Sequence, residues 1–298
     1  MVRDGQGLMS ESTDAVLEAM SRLAESRSDS LVGLGAIGLL VAARIAGLVC
    51  VLPGWQSGVF PVRLRLASVL VVTWLVLPVV AVGREAVSSE VLGLDAVSLG
   101  IRVAVEAAIG GVLGLGVWTV FAGLRGAGEI IDRQTGWGLA GVMDPSGAGG
   151  GPGTTLVTWT AVAALFVMAP INGHLLLVDS LLGTFEAIAP GGIDAVAGAS
   201  LLSGSSDLVV RLVHQSLVLS IQVAAPVLAV MLLVSVVIGI VGRALPETNV
   251  LVVAMPARVL VGVLLLGVVV SGVGRVMTDA VPGVLHEVRS TLFEAALR

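Results

Sequence analysis

Long apolar runs constrain this chain more than any other feature of its sequence. Five runs reach the roughly 20 residues that a helix needs to cross a bilayer, and a sixth is shorter but uniformly apolar. The six runs are 31–52, 66–82, 98–124, 154–178, 208–241 and 250–274. Only 12% of the residues are charged, whereas soluble domains contain about 25%. The sequence therefore predicts an all-α integral membrane protein in contact with lipid and excludes a soluble enzyme.

Two of the runs do not fit single straight crossings of a bilayer. As one helix, 208–241 would be about 50 Å long, against a hydrocarbon core of about 30 Å, and it contains Pro226. The run that begins at Thr154 breaks at 170–173 and continues to Ile188. Proline removes a backbone donor and bends a helix. Bent helices or helical hairpins are therefore predicted here, and the number of crossings and the topology stay open.

The charge distribution divides the chain into three parts. Residues 1–30 form a polar N-terminal extension without the pattern of a cleaved signal peptide, and 31–275 form the membrane domain. Residues 276–298 are predicted to be an amphipathic C-terminal tail. Its apolar stripe is Leu285, Val288, Leu292 and Ala295. Docking on a partner, lying at the membrane surface and packing on its own protein remain open for this stripe.

Charged residues inside the apolar runs need neutralisation. They are Arg44, Arg102, Glu106 and Arg258. A charge at mid-bilayer costs at least about 2.5 kcal/mol, so such side chains normally face protein or water. Arg102 and Glu106 are four residues apart, and the sequence predicts a buried pair on one helix face. Neutralisation between packed helices is favoured over a proton or ion path.

Small residues predict where the helices come closest. Gly110 and Gly114 are four residues apart inside the run 98–124. This spacing places both on one helix face and lets the backbone of a second helix approach closely. The pattern predicts a helix–helix contact and indicates no specific function.

The chain contains no pattern of residues that predicts catalysis. The glycine-rich segment 147–153 lacks the Lys-Ser/Thr of a phosphate-binding loop, since the chain has no lysine, and is interpreted as a flexible hinge. Cys50 and three scattered histidines have no metal-ligand spacing. The net charge of −5 gives no reason to expect nucleic-acid binding. We therefore predict no enzymatic activity, no cofactor and no metal site.

The segment 127–145 changes from an apolar helix into an irregular strip of small and bulky residues. Irregular backbone next to membrane helices persists only when it is buried in protein or lines a watery cavity. A pliable apolar strip can close a pore by excluding water, while an ordinary surface loop is the alternative. The candidate pore residues are Gln134, Gly136, Trp137, Gly138, Leu139, Val142, Met143, Asp144 and Pro145.

Four motifs resemble, in order and spacing, the FliR family of flagellar export-gate proteins. The resemblance covers about residues 31–280. The strings begin at Gly128-Glu129, at Asn172-Gly173-His174, at Phe185 before Pro190-Gly191-Gly192, and at Ala225-Pro226. The family residues carried by these motifs are Glu129, Asn172, Gly173, His174, Pro226, Arg243, Pro246, Asn249 and Pro256.

The resemblance implies both a fold and a role. Such proteins form bent helical hairpins and join FliP-like and FliQ-like proteins in a hetero-oligomeric channel at the flagellar basal body. Unfolded flagellar subunits cross the bacterial inner membrane through this channel, with FlhA-like and FlhB-like proteins as further partners. By analogy, loop 134–153 is expected to be part of the plug of the closed pore.

The chain also departs from the family pattern. Leu139 and Val142 stand where family members often carry phenylalanine. Asp132-Arg133 is more similar to SctT, the homologous export-gate protein of injectisomes, which is one alternative function. A secondary transporter for a small solute or ion is another, since broken helices and buried charges suit both. A transporter of that class should show an internal repeat, and none is visible.

Overall fold

The computed structural model describes residues 33–53, 61–81, 95–137, 151–167, 172–192, 195–244 and 250–296. These ranges contain seven α-helices. They are α1 Gly33–Val51, α2 Val62–Ala81, α3 Ala96–Thr135, α4 Pro152–Val167, α5 Gly173–Ala187, α6 Ala195–Ala244 and α7 Val250–Ala296. The predicted all-α membrane fold is confirmed. The N-terminal extension 1–30 lies outside the described residues.

Helix α3 is the centre of the fold. It packs against α4, α6 and α7. In its most apolar stretch 61% of the residues are buried, compared with 11% in that of α2. On another side it meets α1, where a Cβ on Gly47 would collide with the Ala107 carbonyl and one on Gly110 with the Arg44 carbonyl. A Cβ on Gly114 would also lie within 2.9 Å of α1, at the Val51 Cβ and the Leu48 carbonyl oxygen. The helix contact predicted from these glycines is therefore confirmed, and its partner is α1.

The run 154–178 forms two helices rather than one, as the predicted break at 170–173 implies. The chain forms α4, of 16 residues, and α5, of 15 residues, in its place. Both are shorter than the roughly 20 residues that a crossing needs. Asn172, at a left-handed φ of 40°, precedes α5 and interrupts the helical backbone. Among the described residues, five helices are long and apolar enough to cross a membrane, where about six apolar segments were expected.

The prolines do not divide the last two helices. α6 is continuous through Pro226, so the run 208–241 contains no helical hairpin of its own. α7 is continuous through Pro256 and Pro282. The hairpins instead consist of consecutive helices, because α4 packs against α5 and α6 against α7.

The predicted C-terminal stripe packs on the protein itself. Leu285, Val288 and Leu292 are buried on the last turns of α7. Val288 contacts α3 at Gly116, where a Cβ would lie 2.9 Å from a Val288 methyl carbon. Residues 276–296 therefore continue the helix that begins at Val250. A separate tail domain remains a prediction.

Candidate functional site: buried polar clusters at both ends of the central helix

The Arg44 cluster joins α1, α3 and α5. The Arg44 side chain is fully buried, and its Nε donates to Glu106 Oε2 at 2.6 Å. Its Nη1 donates to Thr184 Oγ1 at 3.3 Å, and both terminal nitrogens donate to the Ile188 carbonyl at 3.2 Å. The guanidinium lies 4.2 Å from the centre of the Phe185 ring, in cation–π contact. Arg44 and Glu106 thus neutralise each other between packed helices.

Gly191 brings Arg102 into the same cluster. Its N–H donates to Glu106 Oε1 at 2.8 Å, and its carbonyl accepts from Arg102 Nη1. Gly191 has a φ of 74°, in the left-handed region that favours glycine. Arg102 and Glu106 therefore bind the carbonyl and the N–H of the same residue, which fixes the turn after α5 against α3. Their direct pairing remains a prediction.

Close packing of α1 against α3 places Arg44 beside Glu106. Gly47 and Gly110 allow the α1 and α3 backbones to touch where any side chain would collide. Arg44 lies one turn before Gly47, and Glu106 lies one turn before Gly110. Because side chains three or four residues apart share a helix face, the two charged groups meet directly beside this contact.

The Asp132 cluster lies at the other end of α3. The Asp132 carboxylate is buried and accepts three hydrogen bonds from the beginning of α4. The donors are the Gly153 N–H at 2.7 Å, the Thr154 N–H at 2.8 Å and the Thr154 hydroxyl at 2.6 Å. The arrangement caps the positive end of α4 with a charge from another helix.

Two glycines of the segment 147–153, which the sequence analysis interprets as a hinge, have a steric role in this cluster. A Cβ on Gly151 would lie 2.5 Å from the Asp132 carboxyl carbon, and one on Gly153 would lie 2.7 Å from Oδ1. Both positions exclude a side chain because the carboxylate occupies that space. The hinge interpretation of residues 147–150 stays a prediction, since they lie outside the described residues.

The structure describes the first part of the predicted pore strip. Gln134 is exposed on the last turn of α3, and Gly136 ends that helix with a φ of 88°. The Trp137 side chain packs against the hydrophobic core. The other candidates, Gly138, Leu139, Val142, Met143, Asp144 and Pro145, lie outside the described residues. Their assignment to a pore remains a prediction.

The family-motif residues fall at helix ends and on helix surfaces. Glu129 is half-buried and pairs with Arg125, one turn earlier, at 3.5 Å. The Asn172 carbonyl accepts the Leu175 N–H at 2.8 Å, and a Cβ on Gly173 would lie 2.5 Å from the Leu165 carbonyl oxygen. His174, Pro226, Arg243 and Pro256 are exposed, and Pro246 and Asn249 lie outside the described residues.

A groove between α3, α6 and α7, lined by apolar and polar residues, was not predicted. It has a volume of about 410 Å³, and its lining residues include Thr119, His214, Gln222 and Asp279. At its edge Gln215 Nε2 donates to Glu287 Oε2 at 2.5 Å. Among the described residues, no group of three or more His, Cys, Asp or Glu side chains could hold a metal ion. The polar residues of the groove lie on helix faces that are otherwise apolar.

Sequence reasoning missed the partners of both clusters. The sequence identifies Arg44 as a charge in an apolar run but predicts Arg102 as the partner of Glu106. Residue spacing can predict only contacts between side chains of the same helix. Asp132 appeared only as an unusual charge. The signal that points to its role is Gly-Pro-Gly-Thr at 151–154, a helix start whose first residues cannot supply their own cap.

Comparisons with known proteins match most of the chain. The model of a family described as bacterial export proteins, family 1, matches residues 36–283. The flagellar biosynthetic protein FliR of Caulobacter vibrioides is 29% identical over 70% of this chain and 78% of its own length. The FliR protein of Escherichia coli is 26% identical over 68% and 72%, and that of Bacillus subtilis 30% over 48% and 53%.

Proposed function

Because this chain belongs to the bacterial export proteins, family 1, we propose that it joins FliP-like and FliQ-like proteins in a channel for unfolded flagellar subunits. The resemblance to the FliR family is confirmed. The chain is a subunit of the flagellar export apparatus in the inner membrane, at the basal body, and is not an enzyme. FlhA-like and FlhB-like proteins are proposed as further partners.

The similarity to curated FliR proteins is the observation that carries this proposal. It extends over about two thirds of the chain in the proteins of two different bacteria, C. vibrioides and E. coli. The long apolar helices place the chain in a membrane. The helices α2, α6 and α7 have extensive exposed apolar faces. Such faces suit contacts with the other subunits of the proposed channel.

Loop 134–153 is the proposed plug of the closed channel. It begins at the end of α3, the most buried of the long helices, and ends in the first turn of α4. Its composition combines bulky apolar residues with glycines, which suits a pliable barrier that excludes water. The buried attachment of both flanking helices supports a fixed base for such a barrier.

Complementation of a gene-deletion strain tests the channel and the plug together. The wild-type chain should restore swimming and filament export. A variant with residues 138–142 replaced by a Gly-Ser dipeptide should still assemble but leak ions, because the apolar strip no longer spans the pore. Leak is measured as planar-bilayer conductance of the purified complex.

A reordering of the small residues at 146–150 is the matched control, since it retains loop length and composition. It should leave conductance at the wild-type level. A deletion strain that swims normally would contradict the flagellar function. Unchanged conductance of the shortened loop would show that this loop is not the plug.

A further inference from the structure

We propose that the face of α6 and α7 around Arg258 binds an apolar helix of another channel subunit, and that a carboxylate of this helix pairs with Arg258. The inference rests on the proposed function, which supplies the neighbouring subunits. Its evidence is a positive charge on an apolar helix face. Arg44 pairs with Glu106, whereas Arg258 forms no ion pair with any described residue.

The Arg258 side chain is poorly satisfied by the chain itself. Its Nη2 donates to Ser235 Oγ of α6 at 3.4 Å, which is longer than the usual range of about 2.7–3.2 Å. Its Nε is shielded from solvent and has no hydrogen-bond partner. A guanidinium has about five N–H donors. Within the described ranges, Arg258 therefore has one long hydrogen bond and no opposite charge beside it.

The packing of α6 against α7 fixes Arg258 in this position. A Cβ on Gly262 of α7 would lie 3.4 Å from the methyl carbon of Met231 on α6, and Met231 is buried. Arg258 lies one turn before Gly262, and Ser235 lies one turn after Met231, so the two contacts share the same helix faces. The Ser235 hydroxyl donates its proton to the Met231 carbonyl at 2.8 Å. Towards Arg258, Ser235 is therefore an acceptor only.

The surface beside this contact is open and apolar. Met255, one turn before Arg258 on α7, is 40% exposed, and Leu232, one turn before Ser235 on α6, is 68% exposed. A Cβ on Gly239, one turn after Ser235, would have no atom within 4 Å. The surface thus has room for a second helix, whose backbone can approach closely over the small residues Ser235 and Gly239.

The charge of Arg258 decides what chemistry this second helix carries. A cation that is covered by apolar side chains without a counter-charge is strongly destabilising. A guanidinium can bind a carboxylate through two parallel N–H···O bonds. The occupant therefore has Asp or Glu opposite Arg258, and apolar side chains against Met255 and Leu232.

A lipid phosphate is the other source of negative charge, and the position of Arg258 disfavours it. Arg258 lies eight residues from the first residue of α7, and Ser235 lies nine residues from the last residue of α6. Both are about 12 to 14 Å, more than two turns, from this end of the helix pair. Exposed apolar side chains, including Ile240 and Val252, lie between. A headgroup at the helix ends would leave the guanidinium among apolar groups, whereas a neighbouring helix carries its carboxylate at the same depth.

The first test is photocrosslinking in the full complex, with p-benzoylphenylalanine in place of Met255. Irradiation should join this chain to another subunit of the complex. Mass spectrometry should locate the crosslink on an apolar helix that has Asp or Glu within about one turn of the crosslinked residue. Crosslinks to lipid alone, to a helix without an acidic residue, or to no other subunit overturn the inference.

The second test changes the charge. Arg258→Met should lower the ratio of complexed to free chain at least about tenfold on native gels, because it leaves the carboxylate of the other subunit buried and unpaired. Arg258→Lys retains the charge and should lose less, although lysine cannot form the paired bonds of arginine. Arg211→Met is the matched control, since Arg211 already pairs with Asp207 on its own helix, and it should keep the wild-type ratio.

The outcomes separate this inference from the proposed function. If the wild-type chain forms no complex with other subunits, the proposed function is wrong and the inference falls with it. If the wild-type complex forms and Arg258→Met forms it equally well, only the inference is overturned. An intact Arg258→Met complex that has lost bound phospholipid assigns the residue to a lipid phosphate and also overturns it. Crosslinking leaves Arg258 unchanged, so it decides the case in which Arg258→Met does not fold.

Discussion

Arg44 shows how a charge is tolerated in the interior of this membrane protein. Its guanidinium reaches a carboxylate, a hydroxyl, a backbone carbonyl and an aromatic ring, so every face of the group has a partner. Removal of charges from water is costly, and a buried pair is retained only with good geometry and additional hydrogen bonds. The Arg44 cluster meets both conditions and also fixes the turn at Gly191.

At the residue scale, Arg44→Met should destabilise the protein by about 3–5 kcal/mol, because it leaves the Glu106 carboxylate buried without its counter-charge. Thermal unfolding in mild detergent measures the effect. Arg211→Met is the matched control, since Arg211 forms an exposed pair and should lose less than about 1 kcal/mol. Equal losses in the two variants would contradict the prediction.

The contact between α1 and α3 depends on glycine in both helices. The backbones of these helices touch at Gly47 and Gly110, where no Cβ fits. Lipid provides no hydrophobic driving force between membrane helices, so close van der Waals packing of small residues stabilises such contacts. The same contact places Arg44 beside Glu106, so helix packing and charge neutralisation depend on each other.

At the element scale, Gly110→Ala should separate α1 from α3 and destabilise the fold by about 1–3 kcal/mol, as overpacking does. Gly111→Ala is the matched control, because a Cβ there has open space around it, and alanine should slightly favour the helix. Folded protein recovered from the membrane and its thermal stability report both effects. A more harmful Gly111 variant would contradict the packing argument.

At the scale of the described molecule, helix α6 exposes a longer apolar surface than a bilayer can cover. Exposed large apolar side chains on α6 extend from Val209 to Val241, a distance of about 48 Å along the helix. On α7 they extend from Val252 to Val268, about 24 Å, and Phe293 is exposed separately near the end of the helix. A hydrocarbon core of about 30 Å covers about 40 Å of a helix even at the largest usual tilt. We therefore expect partner subunits of the proposed channel to cover part of the α6 surface.

At the scale of the whole molecule, the tagged chain should co-purify in mild detergent with FliP-like and FliQ-like proteins. Because the exposed faces are apolar, the complex should resist high salt, which weakens only contacts between exposed charges. An unrelated inner-membrane protein with the same tag controls for detergent carry-over. Isolation of this chain as a lone monomer would contradict the proposed assembly.

The elements themselves were largely predictable because their signals are local. Long apolar runs specify membrane helices wherever they occur, and the glycine spacing at 110 and 114 marks a contact face. A proline alone did not mark the end of a helix. Pro226, Pro256 and Pro282 lie within continuous helices, since neighbouring helices can accommodate the lost backbone bonds. The division between α4 and α5, by contrast, follows a break that the sequence displays.

The sequence by itself therefore determined the solvent of this protein, its helical class and, through its motifs, its family. Only the tertiary structure decided which buried groups meet. Arg44 and Glu106 are 62 residues apart, and Asp132 lies 21 residues from Gly153. Apolar periodicity is a property of one segment, whereas the partner of a buried charge depends on which helices pack together and in what register. That register fixed the two polar clusters on α3.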